Sequence, residues 1–199
     1  KNWSTIVLGT TPEFPDIRSW PVAQGNFFTQ SDMDSAAKVV VLGKTAAQNL
    51  FEPGEEVLGA QIRIRNTPLR VIGILAPKGQ SLTGQDQDDL VVLPFSTAER
   101  KVLGTKFLGT VGVILAATQT RDEIPAVVAD IKELLRTRHH LPAQEEDDFT
   151  IRTMEDIAKT IAGTSRTMML MLMSIASISL IVGGIGIMNI LLVSVTERT

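Results

Sequence analysis
From Thr167 to Thr196 the chain carries no charged side chain; Arg166 closes the run on one side and Glu197 and Arg198 on the other. That is about 30 residues, against the roughly 20 that carry a helix across the hydrocarbon core of a bilayer. Met168, Leu170, Met171, Leu172, Met173, Ile175, Ile178, Leu180, Ile181 and Val182 leave no polar face for water, which a helix on the surface of a globular domain keeps. The run predicts a transmembrane helix, 167–196. A buried core helix would ordinarily be shorter and retain a polar edge, and a secretory signal is excluded because the run does not lie at the N-terminus. A C-terminal tail anchor and a piece of a longer permease both fit this placement.

Roughly 160 residues precede the run, enough for one or two small domains. Charge is nearly balanced over the whole chain: Lys and Arg number 19, Asp and Glu 22, for a net charge of −3. No basic field is available to hold nucleic acid or anionic lipid. The chain has no cysteine, which removes disulfides and thiolate metal sites.

Trp3 to Gly9 reads as a strand, and Thr11, Pro12 and Glu13 open a short helix that Pro21 ends, since Pro suits the first helical position and an acidic side chain favours the helix start. Gly25 to Asp34 reads as a polar connection holding Phe27 and Phe28. Lys38 to Leu42 has strand character, and Lys44 to Phe51 is helical up to Pro53 and Gly54. Gln61–Arg65 and Leu69–Leu75 form a hairpin about Asn66, Thr67 and Pro68. Lys78 to Asp89 is too rich in Gly, Gln and Asp to build a core and reads as a loop. Beyond it we expect a strand at Leu90–Leu93, a short helix capped by Ser96, and a strand at Val111–Ala116. A helix then runs from Asp122 to Arg138, with Ile124, Val127, Val128, Ile131, Leu134 and Leu135 as one stripe, and a strand at Phe149–Arg152 follows. This strand, helix and strand would make a βαβ unit.

Thr153 and Asp156 form a capping arrangement, and Met154, Ile157, Ile161 and Met168 carry a helical stripe into the apolar run with no Pro to break it. Gly163 is the one weak point, so a continuous, stiff helix is expected to join the domain to the membrane. Within the run, Ala176, Ser179, Gly183, Gly186 and Asn189 recur at three- and four-residue steps. Membrane helices pack against one another through strips of small and polar side chains of this kind.

Leu42, Gly43, Lys44 and Thr45, between a strand and a helix, have the ending of a phosphate-binding loop, but Lys38 stands where its first Gly is required. Without that loop the backbone N–H groups cannot wrap a phosphate. Asp86, Asp88 and Asp89 lack the central Gly and closing Glu of an EF-hand, whose places Val91 and Thr97 take. His139 and His140, the only histidines, diverge as helix neighbours and have no cysteine to complete a metal site; an imidazolium there would complement the helix end instead. Glu145, Glu146, Asp147 and Asp148 read as a solvated acidic turn. No nucleophile, base and orienting acid stand at a recognisable spacing, so no catalytic or metal residue is assigned and no enzyme is expected. The polar loop 78–89 supplies the candidate partner-contact residues Lys78, Gln80, Gln85, Asp86, Asp88 and Asp89.

The stretch Val182–Thr199, VGGIGIMNILLVSVTERT, resembles the second transmembrane helix of MacB-type ABC transporter permeases of the FtsX-like superfamily. GTTPEFPDIRSWPVAQGNFFT (Gly9–Thr29), VVVLGKTAAQNLF (Val39–Phe51) and KGQSLTGQDQDDLVVLP (Lys78–Pro94) resemble the periplasmic core domain of the same family in the same order. The resemblance thus covers essentially the whole chain. Asn26 stands where that family would place a basic residue before the paired phenylalanines.

The resemblance implies an α+β periplasmic domain with a porter-like βαβ part, residues 1–29 and 109–153, and an inserted mixed α/β Sabre-like subdomain, 30–108. A stalk helix, 154–166, and the transmembrane helix, 167–196, would follow. It implies a place in the bacterial inner membrane, with the residues before the span in the periplasm. The implied partners are a cytoplasmic ABC ATPase, fused or separate, a second permease copy in a homodimer, and a periplasmic adaptor with an outer-membrane exit duct. ATP and Mg would be bound by the ATPase, so no cofactor is expected on this chain. The implied mechanism is mechanotransmission, in which ATP-driven closure in the cytoplasm moves the stalks and the periplasmic domains push substrate into the duct. Lipoprotein release and control of a cell-wall hydrolase are alternatives within the superfamily. A bitopic receptor or scaffold is the alternative outside it.

Overall fold
The computed structural model describes residues 1–81, 84–104, 109, 111–142 and 144–196, with side chains through Asn189. The chain divides into two compact units, Lys1–Ala117 and Thr118–Thr199.

Two strands that are apolar at every position organise the first unit. In β3 (Val39–Leu42) and β6 (Leu90–Pro94) every residue is buried, the pattern of strands covered on both faces. Side chains alternate across a strand, and here Val40, Leu42, Val91 and Leu93 enter one cluster while Val39, Val41, Leu90 and Val92 enter another. The sheet is completed by β1 (Ile6–Thr10), β2 (Val22–Gly25), β4 (Gln61–Ile64) and β5 (Thr67–Leu75), in the order β1-β6-β3-β5-β2 with β4 also on β5. The β1–β6 and β3–β5 pairs are parallel and the others antiparallel. β1 and β2 come from the first 29 residues, yet they hydrogen-bond into the same sheet as the strands that follow.

The long strand β5 serves both faces because its register shifts between Val71 and Gly73 opposite Val40 and Val41. An extra residue flips the alternation. Leu69 and Val71 therefore face the first cluster before the shift, and Ile74 faces it after, while Ile72 and Leu75 join the second. The first cluster is roofed by α3 (Lys44–Leu50) through Ala46 and Ala47, and by Phe51, Ala98 and Val102. The second is closed by Phe14 of the one-turn α1 (Phe14–Ile17), Trp20 and Phe28.

Two elements of this unit lie in segments that the sequence reads as a helix end and a connection. Val22–Gly25 is β2, and Gln30–Asp34 is α2, capped by Thr29, whose hydroxyl oxygen accepts from Asp32 N while the Asp32 carboxylate accepts from Thr29 N at 2.8 Å. The Thr-x-x-Asp spacing was the available signal. Ser96 is not a cap: α4 (Phe95–Thr97) starts after Pro94, and the Ser96 hydroxyl donates to Met33 O, tying α4 to α2. Val111–Ala116, expected as a strand, has no ladder partner among the described residues, and Ile114 is 71% exposed. A strand holds its backbone groups only through a ladder, so strand composition by itself does not make one here.

In the second unit a short helical turn, Arg121–Glu123, leads into α5 (Ile124–Arg138). Its stripe Ile124, Val127, Val128, Ile131 and Leu135 is half-buried, and Leu134 is exposed. Phe149–Arg152, expected as the closing strand, is not one, so the βαβ unit reduces to its helix. The second long helix, α6, runs unbroken from Met154 to Thr196 through Gly163.

Candidate partner-contact loop and stalk helix
The two described sides of the loop, 78–81 and 84–89, pair with each other. Gln80 and Asp86 pair as an antiparallel bridge, Ser81 N donates to Gln85 O at 2.8 Å, and Gln87 N donates to Gly79 O at 3.0 Å. At the base, Asp88 is only 6% exposed, and its carboxylate accepts from the backbone N–H of Lys78 at 2.7 Å and of Gly79 at 3.0 Å. Asp88 O accepts from Thr45 N and Ala46 N at the start of α3. The amides that a phosphate-binding loop would offer to its ligand are thus already occupied, which gives the missing first Gly a structural counterpart.

Of the six sequence-selected residues, four are held within the fold. Lys78 donates to Arg18 O at 2.7 Å and lies 5.0 Å above the Trp20 ring. Its desolvation there, and secondarily the nearby Arg18 guanidinium, lower its pKa from the usual lysine value. Asp86 accepts from Asp88 N at 2.8 Å, and Asp89 accepts from the Trp3 indole N–H at 2.9 Å. Gln80 and Gln85 are exposed. Asp88 is therefore a fastener for the loop and not a contact residue. Asp88→Ala should lower stability by about 2 kcal/mol by removing the shared acceptor of two part-buried hydrogen bonds, read as a shift in the urea midpoint of tryptophan fluorescence. An unchanged midpoint would contradict this role.

The stalk begins with the expected cap: Thr153 N donates to the Asp156 carboxylate, and Asp156 N donates to Thr153 Oγ1, each at 3.1 Å. The hydroxyls of Thr160, Thr164 and Thr167 donate to the carbonyls four residues earlier, which satisfies them without water in an increasingly apolar helix. Met154–Asn189 is long and apolar enough to cross a membrane and lies exposed. At 100° per residue, Ala176, Ser179, Gly183 and Gly186 fall within about 80° of arc, and Asn189 lies about 60° beyond Gly186. All five are exposed, and nothing stands within 4 Å of a Cβ built on Gly183 or Gly186.

Glu145, Glu146 and Asp148 of the acidic run are exposed, as a solvated turn would have them, but Asp147 is half-buried and paired. Asp147 takes Lys132 Nζ at 2.8 Å and the Arg136 guanidinium, while Asp148 lies 2.9 Å from His139 Nδ1. Arg136 also donates to Pro142 O and Glu145 O. Lys132, and then Arg136, hold the Asp147 carboxyl below the usual carboxylate range. A lowered folded-state pKa contributes stability above the unfolded value, lost as pH falls through the folded one, here below about 4. The sequence signal was the basic spacing Lys132, Arg136 and His139 along one side of α5 facing an acidic tetrad.

Residues 1–134 match the family described as the MacB-like periplasmic core domain. Over 199 residues the chain is 44% identical to the macrolide export ATP-binding/permease protein MacB of Marinobacter nauticus, covering 100% of this chain and 30% of that protein. It is 38% identical over 193 residues to the pyoverdine export ATP-binding/permease protein PvdT of Pseudomonas putida, covering 97% and 28%. The fold matches the crystal structure of the periplasmic region of MacB from Actinobacillus actinomycetemcomitans with a TM-score of 0.59 and 26% identity, over 78% of this chain and 64% of that one. The chain spans about a third of the length of the curated relatives it matches.

Proposed function
Because the chain belongs to the MacB-like periplasmic core domain family, which its first 134 residues match, we propose that it supplies the periplasmic domain, stalk and one membrane helix of an ABC-type efflux permease. The observation that carries the reading is α6: one unbroken helix takes the chain from the capped Thr153 through the full apolar run. A continuous helix passes on displacement that a flexible linker would absorb. In this reading a cytoplasmic ATPase, which alone binds ATP and Mg, moves the stalks of a permease homodimer in the inner membrane. The periplasmic domains then drive substrate into an adaptor and outer-membrane duct. The porter-like (1–29, 109–153) and Sabre-like (30–108) division belongs to the same proposal. The exposed Gln80 and Gln85 are its partner contacts, and the strip Ala176, Ser179, Gly183, Gly186 and Asn189 is its helix-packing face. The export names of the relatives favour efflux over lipoprotein release or hydrolase control.

Gly163→Pro in the full-length transporter tests the mechanism, because proline in a helix interior costs about 3 kcal/mol and kinks the helix. ATP hydrolysis should persist while export of a macrolide probe falls about tenfold. Export that survives the kink would remove the mechanical reading. A wild-type protein that neither co-purifies with an ATPase nor exports would favour the scaffold.

A further inference from the structure
Between Arg138, the last residue of α5, and Met154, the first of α6, the described residues form no helix or strand. A free linker of roughly 15 residues would let its ends wander over about 21 Å. Such a joint would not hold the stalk against the domain helix. The side-chain contacts of the acidic run shorten it: Asp147 is ion-paired with Lys132 and Arg136, one turn apart on α5, and Asp148 lies at hydrogen-bond distance from the His139 ring at the helix end. Arg136 and Asp147 have only 21% of their side-chain surface exposed. Arg136 also donates to Pro142 O and Glu145 O, which ties those two residues to α5 through their carbonyls. The His139 ring meets Phe149 edge-on at 5.9 Å between centroids. Only the four residues 149–152 separate Asp148 from the Thr153 cap, a reach of about 11 Å. A lone surface ion pair would contribute little, but a carboxylate shared by two cations whose partner also binds two carbonyls is a network.

We propose that Asp147 is a positioning residue: with Lys132 and Arg136 it clasps the start of the stalk to α5, so that stalk and domain helix move together. The functional consequence rests on the efflux-permease reading, but the clasp itself does not. The chain's lack of cysteine allows paired spin labels at the exposed positions Leu134→Cys and Met154→Cys, 56% and 72% exposed, in the full-length transporter with cysteines removed elsewhere. The wild-type background should give one narrow distance distribution. Asp147→Arg should broaden it at least about twofold and lower macrolide export per ATP hydrolysed about tenfold, within the range of coupling changes of this kind. Combining Asp147→Arg with Lys132→Glu reverses the polarity of that pair while leaving Arg136 on Pro142 O and Glu145 O, and should move both readouts back toward wild type. A distribution unmoved by Asp147→Arg, or one that the reversed pair fails to narrow, overturns the clasp. If Asp147→Arg does not fold, Asp147→Asn with Asp147→Glu as its conservative control gives the same comparison. Failure of wild-type export would count against the efflux reading, while the distance measurement would still decide the clasp.

Discussion

Gly43→Ala is expected to destabilise the sheet unit by about 3 kcal/mol, the upper end of what overpacking costs plus the loss of nearby hydrogen bonds. A methyl group at this position would run into Asp88 O and come within 2.9 Å of its carbonyl carbon. Both are backbone atoms, so no rotamer change relieves the clash. The loop base would have to move away from α3, breaking the bonds from Thr45 N and Ala46 N to Asp88 O and straining that from Gly43 N to Leu90 O. Gly54→Ala is the control. Gly54 has φ of +91° but open space around it, so its alanine variant should lose only about 1 kcal/mol to backbone strain. Urea unfolding followed through Trp3 and Trp20, both in the first unit, measures the difference. Equal midpoints for the two variants would mean that the Gly43–Asp88 approach does not fasten the loop.

Gly183→Leu with Gly186→Leu should leave this chain's own fold intact and abolish its assembly with neighbouring helices. Neither glycine has an atom within 4 Å of the space a side chain would fill, and leucine is the better helix former by about 0.8 kcal/mol. Any loss therefore has to arise against another helix. There, close backbone approach depends on small residues and Asn189 finds a polar partner. Crosslinking of this membrane helix to neighbouring membrane helices should fall about tenfold, with export falling alongside it. Undiminished crosslinking and export would show that the strip faces lipid.

How much of this could be read along the chain depended on whether a residue's environment is set by its neighbours in sequence. β3 and β6 were legible because a strand covered on both faces needs apolar residues at every position, and VVVL and LVVLP supply them. The β4–β5 hairpin was legible because its turn chemistry is local. Val22–Gly25 was hidden because its strand character comes from pairing with Gly73–Leu75, and its own residues alternate only weakly. Val111–Ala116 had the reverse fate: its composition is that of a strand, yet no partner lies beside it among the described residues. The candidate loop was found as a loop, but its six residues could not be sorted, since Asp88 and Asp86 differ in burial and not in kind.

The sequence alone determined α6, the sheet's two central strands and the family, because length, apolar content and long ordered matches need no knowledge of what lies nearby. Only the tertiary structure decided that Asp88 is a buried fastener, that Lys78 and Trp20 form one base, and that Asp147 and Asp148 are clasped to α5. Each of these depends on which groups meet across intervals of up to tens of residues. A carboxylate in solvent and one gripped by two cations look the same along the chain, and their roles separate only when folding fixes the distances between charges.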